Sequence, residues 1–224
     1  LLSVVIAAFM LARQKDVKRM FAYSSIEHMG LITFAFGMGG AVATFAALLH
    51  MTMHALTKSA IFFAVGHATQ KSGTQLMENI RGLIKTNPTI GWGLMIGTLA
   101  ILGMPPFGVF ASEFMIITTA MHDHPWSMPF LIISLGVAFA AIFSRVQRMV
   151  FGETTGQRLP HPPALVPVFM HLGLTLLLGT LSGATRQVRQ AGDAGRAALH
   201  AQSLLDEFGE LPQPGTRDGE LDEG

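Results

Sequence analysis

Residues 41–65 read AVATFAALLHMTMHALTKSAIFFAV and decide the fold class of this chain. The run is long enough to cross a bilayer, which takes about 20 apolar residues in a helix. It nevertheless carries His50, His54 and Lys58 at four-residue spacing, so a helix places all three on nearly one face. A charged amine in the middle of a membrane costs at least about 2.5 kcal/mol, so this face needs a partner, water or a function.

The composition of the whole chain is that of a polytopic membrane protein. Half of the residues are hydrophobic and 13% are charged, whereas a soluble domain carries about 25% charged residues. The sequence contains no cysteine, which excludes disulfides and thiolate metal sites, and its net charge of +1 gives no indication of nucleic-acid binding. The first apolar run, residues 1–12, is too short to span a bilayer, so we expect a fragment that begins partway through a helix.

Apolar runs separated by charged or glycine-rich loops predict an all-α integral membrane bundle of about six transmembrane helices. The longest run contains two adjacent prolines, which remove backbone donors and clash with the preceding turn. We therefore interpret this run as one helix broken near mid-membrane at Pro105 and Pro106, with Gly108 completing the break. The predicted spans are 1–12 (truncated), 23–38, 42–67, 88–121 (broken), 127–149 and 164–182.

The positions of lysine and arginine predict the orientation of the bundle. With six spans, the loops at 13–19, 68–87 and 145–163 lie on one side and hold essentially all of the loop cations. Cytoplasmic loops carry an excess of Lys and Arg, so this side is predicted to be cytoplasmic.

The composition changes after the last span. We assign residues 1–183 to the helical bundle. Weak helical periodicity in 184–210 predicts a helix on the membrane surface or against a partner, and 211–224 is rich in Gly, Pro and acidic residues, which is typical of a disordered tail. Arg186 and Arg189 follow the last span on the predicted outer side and are the exception to the charge pattern.

The three residues of the face at 50–58 have the chemistry of a proton relay. Histidine can accept a proton on one ring nitrogen and donate one from the other near neutral pH. A lysine in an apolar environment can release its proton. The alternative is structural, with His50 and His54 packed and hydrogen-bonded and Lys58 reaching towards the membrane surface.

Two further positions carry ionisable groups in apolar surroundings. Glu113 lies five residues beyond Gly108, just past the helix break, where freed backbone groups admit water. Glu27 and His28 are adjacent, so they point about 100° apart on a helix and are not expected to face one groove together. We place them near the cytoplasmic mouth, where they serve either proton entry or a structural interface.

Four blocks of this sequence carry recognisable motifs: DVKRMFAYSSIEHMGLI at 16–32, LLHMTMHALTKSAIFFAVG at 48–66, IRGLIKTNP at 80–88 and GMPPFGVFASEFMII at 103–117. In this order they resemble the antiporter-like subunits of respiratory complex I and membrane-bound hydrogenases. The SSIEHMG motif and the PPFG-x3-SEF pattern are most similar to the hydrogenase-4 or formate hydrogenlyase membrane subunit.

The resemblance implies more than the residues alone. Members of this family have two inverted halves, each with a broken helix, and this chain is similar to the second half. His50, His54 and Lys58 fall on the family's central relay, and Glu113 falls on the ionisable position after the second break. Such subunits carry no redox centre, so we expect no catalytic residue, cofactor or metal on this chain. The implied partners are the lipid bilayer, other membrane subunits and a peripheral redox arm, with no nucleic acid.

The expected function is therefore that of a proton-translocating subunit of a redox-driven complex, of the hydrogenase-4 or NADH-quinone oxidoreductase type. Its expected location is the plasma membrane of a bacterium or archaeon. The first alternative is a subunit of a multisubunit sodium/proton antiporter or of an inorganic-carbon uptake system. The second is a haem-binding cytochrome, which requires two histidines facing each other from different helices, with His171 as the available deep partner.

Overall fold

The computed structural model describes residues 1–154, 166–183 and residue 203, and the regular elements of these residues are all helices. This confirms the predicted all-α class. The 3₁₀ helices are Met77–Asn79 and Pro125–Ser127. The α-helices are α1 (Leu2–Ala12), α2 (Val17–Met38), α3 (Gly40–Ser72), α4 (Leu83–Thr86), α5 (Pro88–Ile101), α6 (Gly108–Asp123), α7 (Met128–Phe151) and α8 (Val166–Gly183).

One compact unit covers Leu1–Ser182 and contains nearly all of the described helical residues. A second unit, Gly183–Gly224, lies outside the described residues except for its first residue and residue 203. The predicted surface helix at 184–210 and the predicted disordered tail at 211–224 fall in that second unit and stay predictions.

Local sequence sets the helix ends. The side chain of Asp16 accepts a hydrogen bond from the backbone N–H of Arg19 and caps α2, which therefore starts six residues earlier than the predicted span. Asn87 caps α5 in the same way through the N–H of Ile90. Gly73 ends α3 with φ of 64°, a left-handed conformation that glycine adopts without a steric cost.

Helix α3 is the centre of the bundle. It packs against α2, α5 and α6, while α1 packs against α2 and α7. The largest fully buried side chains of the described residues are all apolar and come from α1 to α6 and the segment before α4: Phe21, Leu11, Met20, Leu31, Met53, Ile61, Ile80, Leu83, Ile90, Leu94, Ile101 and Ile116. The polar face of α3 is therefore enclosed by neighbouring helices rather than presented to the outside.

Among the described residues, three helices are long and apolar enough to cross a membrane: Gly40–Ser72, Val166–Gly183 and the segment Pro125–Phe151 that includes α7. Helices α1 and α5 are apolar but shorter. The outer surface carries many exposed large apolar side chains, as a surface in contact with lipid does. The predicted total of six spans stays a prediction.

The helical structure is interrupted around the two adjacent prolines, while the assignment of both parts to one span broken near mid-membrane stays a prediction. Helix α5 ends at Ile101 and α6 begins at Gly108, and the two helices make few contacts with each other. At 1.5 Å per residue they are about 21 and 24 Å long, each shorter than a membrane core of about 30 Å. Gly179 of α8 lies so close that a Cβ there would be 2.6 Å from the carbonyl oxygen of Pro106. Helix α8 therefore packs directly against the interruption.

The basic end of α7 is tied to the end of α1. The guanidinium of Arg145 donates hydrogen bonds to the carbonyl oxygens of Ala12 and Ala141. A cation that satisfies the last carbonyls of a helix stabilises that end of the helix. Arg145 thus has a structural role at the predicted cytoplasmic side.

Candidate functional site

The ionisable face of α3 is buried, as its four-residue spacing predicts. His50, His54 and Lys58 are each at most 5% exposed in the unit formed by residues 1–182. Thr57, on the same helix, donates its hydroxyl proton to the carbonyl of Met53 and so has a local partner, as expected for a threonine within a helix. The three ionisable side chains therefore meet groups from other helices.

The amine of Lys58 is buried and has a partner on α2. Its Nζ donates a hydrogen bond of 2.9 Å to the backbone carbonyl oxygen of Phe21 on α2. The same nitrogen lies 5.3 Å from the centre of the Phe21 ring, within cation–π range. These two contacts hold the amine inside the bundle.

A chain of hydrogen bonds crosses from α2 through α3 to α6. Nδ1 of His28 lies 3.0 Å from Nε2 of His50, and Nδ1 of His50 lies 2.8 Å from the hydroxyl of Ser112. The Ser112 hydroxyl donates its single proton to the carbonyl of Val109 or Gly108, so it accepts from His50. A neutral His50 then carries its proton on Nδ1 and accepts at Nε2 from His28.

Glu113 lies beside this chain. Its Oε1 is 3.7 Å from Nδ1 of His28, so the same ring nitrogen faces both His50 and the carboxyl group. Space for the carboxyl group comes from Gly103 in the segment between α5 and α6. Gly103 has φ of 65°, and a Cβ at this position would collide with Oε2 of Glu113. The helix interruption thus provides the room that this carboxyl group occupies.

The structure places Glu27 and His28 together, although their spacing on the helix predicts different directions. Both are buried, at 2% and 4% exposure, and both line one cavity together with Glu113. The expectation that they do not face one groove together is wrong, while their placement near the cytoplasmic mouth and their role there stay predictions. Residues about 100° apart on one helix can both line a cavity that is wide enough to include both directions, which the helical wheel alone does not reveal.

The cavity has a volume of about 250 Å³ and lies beside the interruption between α5 and α6. Ile101 and Leu102 of that region contribute to its wall, and exposed residues of α7 such as Gly136 and Phe139 form its outer side. Glu27 and His28 of α2 and Glu113 of α6 line it together. Three ionisable groups from two helices therefore share one partly polar interior.

Several buried polar atoms near these groups lack a hydrogen-bond partner in the described part of the chain. They include Oε1 of Glu27, Nδ1 of His54 and the hydroxyl of Ser24. Nearly all buried polar atoms in proteins are hydrogen-bonded to protein or water. These atoms are thus able to bind water, and each lies on a helix that carries the ionisable groups.

The remaining histidines of the described residues occupy other environments. His122 contacts Asp123 on the surface. His171 is partly exposed on α8 and bonds to the carbonyl oxygen of Pro167 on its own helix, so it is not a buried core residue.

The haem-binding alternative requires two histidines that face each other across a haem. His28 and His50 face each other from two helices, but their rings stack with centres 5.2 Å apart and share a hydrogen bond. That contact leaves no gap for a haem plane between them.

Three contributors to the site were absent from the sequence-based set: Ser112, Gly103 and the carbonyl of Phe21. Ser112 directly precedes Glu113 in the SEF block, so its position next to a candidate acid was a usable signal. Gly103 opens the same block, but only the folded chain brings it against the carboxyl group. A backbone carbonyl has no sequence signature at all.

The sequence of residues 1–140 matches the family described as NADH:quinone oxidoreductase/Mrp antiporter, transmembrane. The hydrogenase-4 component F homolog of Methylacidiphilum infernorum is 48% identical over 179 residues, covering 80% of this chain and 38% of that protein. Subunit M of the F420H2 dehydrogenase of Methanosarcina mazei is 31% identical over 67% of this chain and 30% of that protein. A chain of an archaeal respiratory complex, the membrane-bound sulfane sulfur reductase, superposes with a TM-score of 0.76 at 33% identity, covering 86% of this chain and 40% of that chain.

The chain belongs to the NADH:quinone oxidoreductase/Mrp antiporter transmembrane family. It is a multi-pass membrane protein with the fold of the antiporter-like membrane subunits, as the four sequence blocks predicted. It spans 30–40% of the length of each of the three relatives described above.

Proposed function

We propose that this chain forms part of a proton-translocating membrane subunit in a redox-driven complex of the hydrogenase-4 or NADH-quinone oxidoreductase type. In this proposal it lies in the plasma membrane of a bacterium or archaeon, beside other membrane subunits and a peripheral redox arm, and carries no redox cofactor itself. The observation that supports the proposal most directly is the buried hydrogen-bonded chain His28–His50–Ser112, with Glu113 at 3.7 Å from His28.

His28 is the branch point of the proposed proton path. The proton on its Nδ1 can be shared with Nε2 of His50 at 3.0 Å or with the carboxyl group of Glu113 at 3.7 Å. A small rotation of the His28 side chain changes which of these two acceptors is favoured. His54, whose ring centre lies 5.0 Å from that of His28, connects this branch point to the helix turn that carries Lys58.

Lys58 is the proposed proton store. Its amine donates a hydrogen bond to the carbonyl of Phe21. In the proposed cycle, a change in the charge of Glu27 alters the balance between the two protonation states of Lys58. Water bound at the free polar atoms of Glu27 and His54 then carries the proton towards His28 and Glu113. A change of charge in a neighbouring subunit would drive this cycle through Glu27, because interacting groups titrate together.

The test is the substitution Lys58→Met in the assembled complex, with proton uptake measured in inverted membrane vesicles during turnover. We expect proton uptake to be lost while the complex stays assembled, because Met keeps the length of the side chain without a proton to release. Lys85→Met, at an exposed position of α4, is the matched control and should pump normally. Normal proton uptake in the Lys58→Met complex would refute the proposed role.

A second candidate is a subunit of a sodium/proton antiporter, a class that the family description itself includes. Copurification separates the two: redox subunits should accompany the chain in the first case and none in the second. A second measurement imposes a sodium gradient on vesicles in the absence of an electron donor. Proton movement is expected under these conditions only if the chain belongs to an antiporter.

A further inference from the structure

The contact between His28, His50 and Glu113 has a second chemical consequence besides proton transfer. One ligand-capable atom from each of these side chains lies within 4.8 Å of the other two. We propose that these three residues form a binding site for a divalent transition-metal ion of the Zn²⁺ type. Binding of the ion requires only the geometry of the three side chains; its effect on proton transfer additionally rests on the function proposed above.

The distances fit a tetrahedral ion. Zn²⁺ binds imidazole nitrogen and carboxylate oxygen at about 2.0–2.2 Å, which places two ligand atoms of a tetrahedron about 3.3–3.6 Å apart. The nitrogens of His28 and His50 are 3.0 Å apart, and the nitrogen of His28 is 3.7 Å from the oxygen of Glu113. These two separations bracket the tetrahedral value, and the third, between His50 and Glu113, is within 4.8 Å, so small side-chain rotations bring all three atoms onto one ion.

The ligand types select the class of ion. Two imidazoles and one carboxylate suit Zn²⁺ and similar transition metals, whereas Mg²⁺ and Ca²⁺ prefer ligand sets made of oxygen alone. In the bound form His28 carries its proton on Nε2, because its Nδ1 lone pair is given to the metal. Three protein ligands leave a fourth position, and the cavity of about 250 Å³ lined by His28 and Glu113 gives water access to it.

Groups around the three ligands support the site independently. Ser112 accepts the hydrogen bond from Nδ1 of His50 and thereby presents Nε2 to the ion, which is how supporting residues orient metal-ligating histidines. Glu27, whose Oε1 has no hydrogen-bond partner among the described residues, lines the same cavity and adds a second negative charge. Together with Glu113 it balances the charge of a divalent ion in an apolar interior.

An ion in this position occupies the lone pairs that the proposed proton path uses. A proton cannot then pass between His28, His50 and Glu113, so we expect Zn²⁺ to block proton translocation. The site would therefore be inhibitory, with metal and proton competing for the same three side chains.

The direct test is Co²⁺ and Zn²⁺ binding to the purified complex, prepared without a polyhistidine tag. Co²⁺ should give the visible absorption of a four- or five-coordinate ion, and X-ray absorption at the zinc edge should show nitrogen and oxygen neighbours. Other metal sites in the complex are shared by all variants, so the decisive quantity is the difference between wild type and His50→Gln. We expect that difference to be one equivalent per chain.

Three variants make the outcome decisive. Ser112→Ala keeps all three ligands and should weaken Zn²⁺ binding about 10–100-fold. His122→Ala, which removes the exposed histidine beside Asp123, should bind as wild type does. Lys58→Met should keep the metal equivalent while losing proton uptake, so a failure of the proton path and a failure of the metal site are distinguishable. Equal metal binding by the wild type and a folded His50→Gln complex would overturn the proposed site. Loss of one metal equivalent in His122→Ala, with none lost in His50→Gln, would overturn it as well.

Discussion

Two histidine–carboxylate contacts in this protein have opposite environments. His122 and Asp123 at the end of α6 are 2.6 Å apart, with side chains 89% and 45% exposed. His28 and Glu113 are 3.7 Å apart, with side chains 5% and 12% exposed. The shorter contact is adjacent in sequence and surrounded by solvent, while the longer one joins two helices in the interior.

The difference shows that surroundings matter more than distance for what such a pair can do. Exposed ion pairs contribute about 0–1 kcal/mol because water screens the charges. In an interior of low dielectric the same charges interact more strongly, and an ionisable group left without a partner costs several kcal/mol. The buried pair is therefore expected to be sensitive to every change around it, and the exposed pair to very few.

The strongest test of this contrast is the removal of one carboxylate from each pair. Glu113→Gln keeps the shape of the side chain but cannot carry a proton, so we expect proton uptake in vesicles to fall by about 10²-fold or more, the scale of a lost proton-transfer group. Asp123→Asn, the matched change in the exposed pair, should leave uptake unchanged. Equal effects of the two substitutions would contradict the contrast.

The room for the buried carboxyl group can be removed without touching any ionisable residue. Gly103→Ala places a methyl group against Glu113 at a backbone position with φ of 65°, so we expect a destabilisation of about 1–3 kcal/mol and reduced proton uptake. Thermal unfolding in detergent measures the first effect. Gly136→Ala, on the wall of the same cavity but with no atom near its Cβ, should leave proton uptake unchanged and should not lower stability, because alanine favours the interior of α7 over glycine.

A smaller effect is expected from removal of the single hydroxyl group that bonds to His50. Ser112→Ala leaves Nδ1 of buried His50 without its acceptor, so we expect about 1–3 kcal/mol of lost stability and slower proton uptake. Ser59→Ala is the control: its hydroxyl also bonds to a carbonyl four residues earlier, but no hydrogen bond joins it to a histidine. A Ser112→Ala protein as stable and as active as the control would show that the hydroxyl does not support His50.

Helix content, the buried face of α3 and the interruption near the two prolines were accessible from the sequence. The four-residue spacing of His50, His54 and Lys58 required only the helical repeat, and the effect of Pro105 and Pro106 required only their missing donors. The error concerned Glu27 and His28. Their separation of about 100° follows from the helical repeat, but one cavity is lined by both residues, so the separation did not exclude a shared site.

Hydropathy and periodicity are properties of consecutive residues, so they were sufficient to recognise membrane helices and the faces that carry charge. Contacts between residues far apart in the chain cannot be inferred from such local patterns. The hydrogen bond from His50 to Ser112 spans 62 positions, and that from Lys58 to the Phe21 carbonyl spans 37. Such pairs depend on how whole helices pack against one another, and only the folded arrangement of α2, α3 and α6 turned separate ionisable residues into one connected site.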